Sequence, residues 1–231
     1  MSACARTVSW KEEVLLHDGS KVIVTRAHKL GGYPTIDSRE RALIEEEIIF
    51  SIPNQNKKIN WTMSFSNNNN DLNGLSVLAI NVINNIPYIA TYPAGCIAYN
   101  KWKRPNPPYV FFKYINNQWK IIQLNEFPSQ ISKTNIIVGR PPKNLLKGFY
   151  TWQEVNDQNH LLDERYRTII REPLEKVEEG CPEMISDGHG GWMGMGWFTS
   201  QLSYEECLNV CKGNNISEDF CPCKKLFKGD K

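Results

Sequence analysis

The sequence predicts a mainly β protein, an antiparallel sandwich or curled barrel followed by a small α-helical, disulfide-rich C-terminal region. Three observations carry that expectation. Seven or eight apolar runs of strand length follow one another at hairpin spacing up to about residue 138. Asp-Gly and Asn-Asn pairs, which accept the backbone of tight turns, join several of them. Cys181, Cys207, Cys211, Cys221 and Cys223 then crowd the end of the chain, beyond a proline-rich break at Gly139-Arg140-Pro141-Pro142.

Taken in order, Ser9 to Leu16 and Lys21 to Arg26 flank His17-Asp18-Gly19-Ser20 and form the first hairpin. Ile44 to Ile52 has mixed periodicity, but Ile48, Ile49, Phe50 and Ile52 before Pro53 favour a strand. Ile59, Trp61, Met63 and Phe65 alternate with Asn60, Thr62 and Ser64, the period of a sheet with one wet face. After a loop at Asn67 to Asp71, Leu75 to Ile83 is almost continuously apolar and turns at Asn84-Asn85 into Ile86 to Tyr92, which predicts a hairpin covered on both faces. Tyr109 to Tyr114 and Gln118 to Leu124 make another hairpin through Ile115-Asn116-Asn117.

Helical signals come later. Thr151 and Glu154 have capping-box spacing, His160 stands at a helix opening beside Asp163 and Glu164, and Leu162, Tyr166, Ile169 and Ile170 recur on one face of a helix that Pro173 stops. Ser203 and Glu206 form a second box, opening a short helix that Gly213 can end. The chain therefore divides into a tether at 1–8, an antiparallel β domain at 9–138, a helical linker region at 139–180 and a cysteine-rich region at 181–231.

With 27 basic and 25 acidic residues the formal charge is +2, so no nucleic-acid footprint or funnel for acidic substrates is implied. The apolar runs are interrupted, as at Asn81, Asn84 and Asn85, well before the roughly 20 residues that span a bilayer. Met1-Ser2-Ala3-Cys4 supplies in order the aliphatic residue, two small residues and cysteine of a bacterial lipobox, with Cys4 as the lipid acceptor; an apolar segment upstream of Met1 would complete the signal. Lipidation of Cys4 leaves six cysteines, an even number suited to three disulfides in an oxidising compartment.

Cys207 and Cys211 lie one turn apart on a helix, and Cys221 and Cys223 lie on one side of an extended ribbon, so two helix-to-ribbon bridges fit. They would leave Cys96 to meet Cys181 and tie the tail to the sheet, among the 15 pairings that six cysteines allow. The alternative for the same quartet is a four-thiolate zinc site in a reducing compartment, although its CxxxC and CxC spacing departs from paired CxxC knuckles. His189, Met193 and Met195, in a loop rich in glycine and tryptophan, are soft donors that would suit copper; against that stands packing of the loop on the disulfide knot. Cys96 with a distant histidine formally permits a thiol hydrolase, but no catalytic triad, carboxylate pair or cofactor site can be nominated. Tyr99, Trp102, Lys103, Arg104 and Tyr109 form the densest aromatic and basic stretch, suited to stacking on sugar rings or to pairing with anionic polymers, or else to capping the sheet.

SWKEEVLLHDG at 9–19, YPAGCIAYNKWKRPNPPYVFFKY at 92–114 and IIREPL at 169–174 together resemble a family of proteobacterial lipoproteins without an established activity. The resemblance covers roughly residues 4–175, counted by motif blocks, and implies an address in the bacterial cell envelope and a membrane held through a lipid anchor. Ala5 after the cysteine resembles lipoproteins sorted to the outer membrane. The expected role is binding or scaffolding of an envelope polymer or protein. An envelope enzyme acting on glycans or peptides, and a metal-handling protein, are the alternatives.

Overall fold

A computed structural model describes residues 6–31, 41–53, 55, 57–65, 72–175 and 180–227. Cys4 and the Asn67 to Asp71 loop lie outside the described residues. Two antiparallel sheets face one another. The first contains β1 (Arg6–Leu15), β2 (Lys21–Gly31), β3 (Ala42–Ser51) and β4 (Lys58–Ser64), and the second β5 (Leu75–Ile83), β6 (Ile86–Pro93), β7 (Val110–Ile115) and β8 (Gln118–Ile122), each pairing with its neighbour in sequence. Of the seven or eight strands expected from hairpin spacing, eight are present, and they form a sandwich rather than a barrel. Between the sheets, Val14, Val24, Ile48, Phe50, Ile59 and Trp61 pack against Leu75, Val77, Ile80, Ile89 and Phe112.

Turn chemistry sets the register. Asn84 and Asn85 have φ of 51° and 62°, and Asn116 and Asn117 have 54° and 61°, the left-handed pairs of hairpin turns whose twist matches that of the strands. The second sheet is covered on both faces. Its outer side carries Tyr88, Ala90, Tyr92, Phe111 and Ile122 beneath Phe127, Ile131 and Ile169.

Residues 139–175 do not stand apart as a linker. β9 (Phe149–Tyr150) adds to β1 in parallel, and α2 (Trp152–Asn159) packs beside it with Val155 against Trp10, Ile137 and Tyr150. α1 (Cys96–Lys101) lies earlier, after β6. The helix expected to run to Pro173 instead breaks in two. His160 closes α2 as its C-cap rather than opening a helix, α3 spans only Glu164–Arg167, and Thr168 to Ile170 is not helical. Three successive β-branched residues lose side-chain freedom in a helix. In the extended form Ile169 is buried and its amide donates to Ser132 O at 2.9 Å.

The tail holds a short ribbon, β10 (Met184–Ser186) with β11 (Trp192–Gly194), then α4 (Gly196–Thr199), α5 (Tyr204–Gly213) and α6 (Cys223–Leu226). Ser203 caps α5 by accepting from the Glu206 amide at 3.2 Å. The small core is Phe198, Ile216 and the buried cysteines. Three disulfides close it: Cys207–Cys223, Cys211–Cys221 and, across to α1, Cys96–Cys181.

Candidate functional site

A buried ion cluster lies on the inner face of the first sheet. Period-2 alternation brings Glu12 of β1, Arg26 and His28 of β2 and Glu46 of β3 onto the face that carries Val14, Val24 and Ile48, and all four polar side chains are buried. Arg26 donates through Nε to Glu46 Oε1 at 2.9 Å and through one terminal nitrogen to Glu12 Oε1 at 3.0 Å; its other terminal nitrogen also pairs with Glu46. Its guanidinium sits 5.0 Å from the centre of the Trp10 ring. Burial, the largest single effect, would push the Glu46 carboxyl up, but the Arg26 charge and bonds together with the neighbouring His28 outweigh it and hold the group below its usual range. Burial likewise works against the Arg26 cation, and the two carboxylates keep it charged. His28 Nε2 lies 3.2 Å from Glu46 Oε1 without the alignment of a hydrogen bond.

The cluster also grips the backbone of one residue on the connection after β8. The Ile137 amide donates to Glu12 Oε2 at 2.8 Å, and Arg26 donates to the Ile137 carbonyl. Beside it, Asn159 Nδ2 donates to Ile136 O at 2.8 Å. Asn135 then bridges the sheets: its Nδ2 donates to Leu15 O at 2.9 Å and Ile80 O at 2.8 Å, and its Oδ1 accepts from the Ile80 amide at 3.0 Å. These bonds satisfy the open side of β5, whose register shifts between Val77 and Ala79, where Leu78 O accepts from the Asn135 amide.

Residues 130–135, pinned in this way, form one wall of a cleft of about 220 Å³ where the sheets part. The remaining wall is Leu15, Leu16 and His17 at the end of β1, Asn81 on β5, and Trp152, Val155 and Asn156 on α2. His17 Nδ1 and Asn81 Oδ1 are 2.7 Å apart. Trp152 is positioned through its amide, which donates to Glu13 Oε2 at 3.2 Å; that bond, aided by Lys21, holds the Glu13 carboxyl low. The capping box predicted at Thr151 and Glu154 is formed, and it starts α2 at the cleft. An aromatic ring, an imidazole, amides, hydroxyls and Lys133 on one concave surface suit a small polar ligand with one apolar face.

The aromatic and basic stretch is placed differently from that expectation. Tyr99 and Tyr109 are buried, and the Tyr109 hydroxyl donates to Arg165 O at 2.8 Å. Trp102 packs edge-on against Phe112 and donates through Nε1 to Asn73 O at 2.9 Å. Arg104 stacks on Tyr99 and donates to Cys181 O at 3.0 Å and Pro182 O at 3.2 Å, so it fastens the tail to α1. Of the five residues, Lys103 is the exposed one. The stretch caps the sheet and joins the two parts of the chain.

His189, Met193 and Met195 do not converge. His189 is exposed in a turn, whereas both methionines pack on the disulfide core. The glycines nearby serve the loop itself: Asp187 Oδ1 accepts from the His189 and Gly191 amides, and a Cβ on Gly191 would meet Asp187 Oδ2 at 2.2 Å. Cys96 Sγ is bonded to Cys181, which removes the thiol that a hydrolase would need, and the sulfurs of the tail quartet are likewise bonded in pairs. Comparison with protein families, curated proteins and solved structures finds no match to the chain.

Proposed function

We propose that this chain is a non-enzymatic binding protein of the bacterial envelope, lipid-anchored through Cys4, which holds a sugar unit of an envelope polymer in the cleft between β1, β5 and α2. The observation that carries the reading is the lining of that cleft, where Trp152, whose ring carries Lys21 Nζ 5.6 Å from its centre, is joined by His17, Asn81, Gln130, Ser132 and Asn156. An aromatic ring offers stacking area to the apolar face of a sugar, while amide and hydroxyl groups match its hydroxyls in either direction. About 220 Å³ is below the roughly 300–1,000 Å³ of sites that enclose a drug-sized ligand. The cleft therefore suits one ring of a longer chain. Three disulfides support an oxidising compartment, which agrees with the address implied by the lipobox.

Saturation-transfer NMR with a panel of hexose and N-acetylhexosamine oligosaccharides tests the site. Binding is expected in the parent, with loss in Trp152→Ala and retention in Lys103→Ala. Silence of the parent across the panel would sink the sugar reading. The anchor is tested separately by mass spectrometry of the gene product from its bacterial host, where an unmodified Cys4 on a protein free of membranes would overturn it.

A further inference from the structure

The two bridges of the tail lie unusually close. Cys211 Sγ is 3.7 Å and Cys221 Sγ is 3.5 Å from Cys223 Sγ, although Cys223 is bonded to Cys207, and the sulfurs of Cys211, Cys221 and Cys223 all fall within 4.8 Å of one another. Four thiolates around Zn²⁺ at about 2.3 Å stand about 3.8 Å apart along each edge of their tetrahedron. The two distances made by Cys223 already approach that edge, whereas Cys207 Sγ falls outside the group of sulfurs within 4.8 Å of one another. Opening the two S–S bonds and turning Cys207 Sγ toward the other three sulfurs are the changes the quartet needs, and α5 and α6 hold its backbone positions, with Cys207 and Cys211 one turn apart on one helix and Cys223 opening the other.

The quartet is also accessible from one side. A cavity of about 320 Å³ is lined by Cys211 and Cys221 together with Tyr204, Leu208, Lys212 and Ile216. Cys207, Cys211 and Cys223 are buried, and Cys221 is half-buried. A solute thiol therefore meets the Cys211–Cys221 bridge first, and the second bridge is reached through the first.

We propose that Cys207, Cys211, Cys221 and Cys223 form a redox-gated zinc site, with two disulfides in the oxidised chain and one tetrathiolate Zn²⁺ site in the reduced chain. A dithiol reductant attacks Cys221 Sγ, releases the Cys211 thiolate, and frees Cys221 by closing to its own cyclic disulfide. The Cys211 thiolate then attacks Cys223 Sγ and expels the Cys207 thiolate. A second dithiol reduces the resulting Cys211–Cys223 bond. Two dithiols thus deliver four electrons and four protons to two disulfides, and Zn²⁺ binding displaces the four thiol protons to solvent. Lys212 lines the cavity together with the Lys224–Glu218 ion pair, so the wall carries a net positive charge toward the loaded site.

The test uses Co²⁺ as the probe metal on the full chain, reduced without oxygen by a phosphine that is itself oxidised to phosphine oxide. The expected result is one Co²⁺ per reduced chain, with the thiolate charge-transfer and d–d bands of tetrahedral sulfur coordination, stoichiometric displacement by Zn²⁺, and no uptake by the oxidised chain. Cys223→Ser should weaken Co²⁺ binding by about 100-fold or more, whereas the Cys96→Ser/Cys181→Ser pair should leave the spectrum unchanged. No cobalt uptake after complete reduction, or a spectrum that persists in Cys223→Ser, overturns the proposal. Neither readout depends on the sugar cleft or on Cys4.

Discussion

Arg26 is buried between two carboxylates, and it is the residue whose loss should cost most. Replacing it with Met leaves Glu12 and Glu46 in the sandwich without their counter-charge and removes one of the two bonds that hold the Ile137 backbone. Breaking a buried pair from one side costs about 3–5 kcal/mol. Arg26→Met should therefore lower the thermal midpoint sharply at neutral pH, as measured by calorimetry. The pH dependence gives a second readout with an opposite sign. In the parent, Glu46 is held below its usual value of 4.5, so its contribution is whole above that pH and is lost as pH falls through the lower folded value. In the variant, burial, the largest effect on Glu46, is opposed only by His28 and pushes the carboxyl up, so it protonates on mild acidification. The deficit of the variant relative to the parent should shrink between pH 7 and pH 4; a deficit that stays constant would show that the ion pair is not its source.

At the scale of elements, the hairpins rest on asparagines and α2 rests on its cap. Asn85 has φ 62°, where a side chain without a local polar group costs about 1–2 kcal/mol. Asn85→Ala should thus be destabilising by that amount in urea unfolding, while Asn85→Gly should be neutral or stabilising, because Asn-Gly is a favoured pair for such turns. Equal losses in both would assign the effect to the amide side chain instead of the backbone. For α2, Thr151 Oγ1 accepts from the Glu154 amide and Glu154 returns a bond to the Thr151 amide. Lys147 and these bonds hold the Glu154 carboxyl at about 2. Thr151→Ala should cost about 1 kcal/mol and, since Trp152 and Asn156 ride on that helix, also weaken saccharide binding. All of these elements were legible in the sequence because their signals are local. The run of Leu162, Tyr166, Ile169 and Ile170 was legible too, but as a helix; its partner, the backbone at Ser132, lies far off in sequence, so a local pattern misassigned it.

For the whole molecule, the question is what joins the sandwich to its tail. Cys96–Cys181 closes a loop with a sequence separation of 85, against 16 and 10 for the other two bridges. Chain entropy assigns roughly 4–5 kcal/mol to the long loop and roughly 3 kcal/mol to each short one. Asn100 supports the long bridge by accepting from the Met184 amide at 2.9 Å, and Arg104 by its bonds to Cys181 and Pro182. In Cys96→Ser/Cys181→Ser, hydrogen exchange should accelerate at β10, β11 and α1 while the amides of β2 and β6 stay protected. Uniform acceleration across both sheets would instead make the bridge part of a single folding unit.

The sequence alone determined the strands, the turns between them, the capped starts of two helices and the existence of a cysteine-stapled tail, because each is written in the periodicity or spacing of neighbouring residues. Only the tertiary structure decided which distant residues meet. His17, Asn81, Ser132 and Asn156 are scattered over the chain and meet at the cleft because Asn135, Glu12 and Arg26 hold one connection against both sheets. The charged network itself could not be read from alternation, since Glu12, Arg26 and Glu46 occupy positions where the pattern alone cannot distinguish a buried ion from a solvated one. The same holds for Tyr99, Trp102 and Arg104, which look like a ligand surface in sequence and are consumed by packing once the tail folds back on α1. Side-chain periodicity is fixed by local geometry, whereas which faces meet, and which polar groups are thereby removed from water, is fixed by contacts between distant parts of the chain.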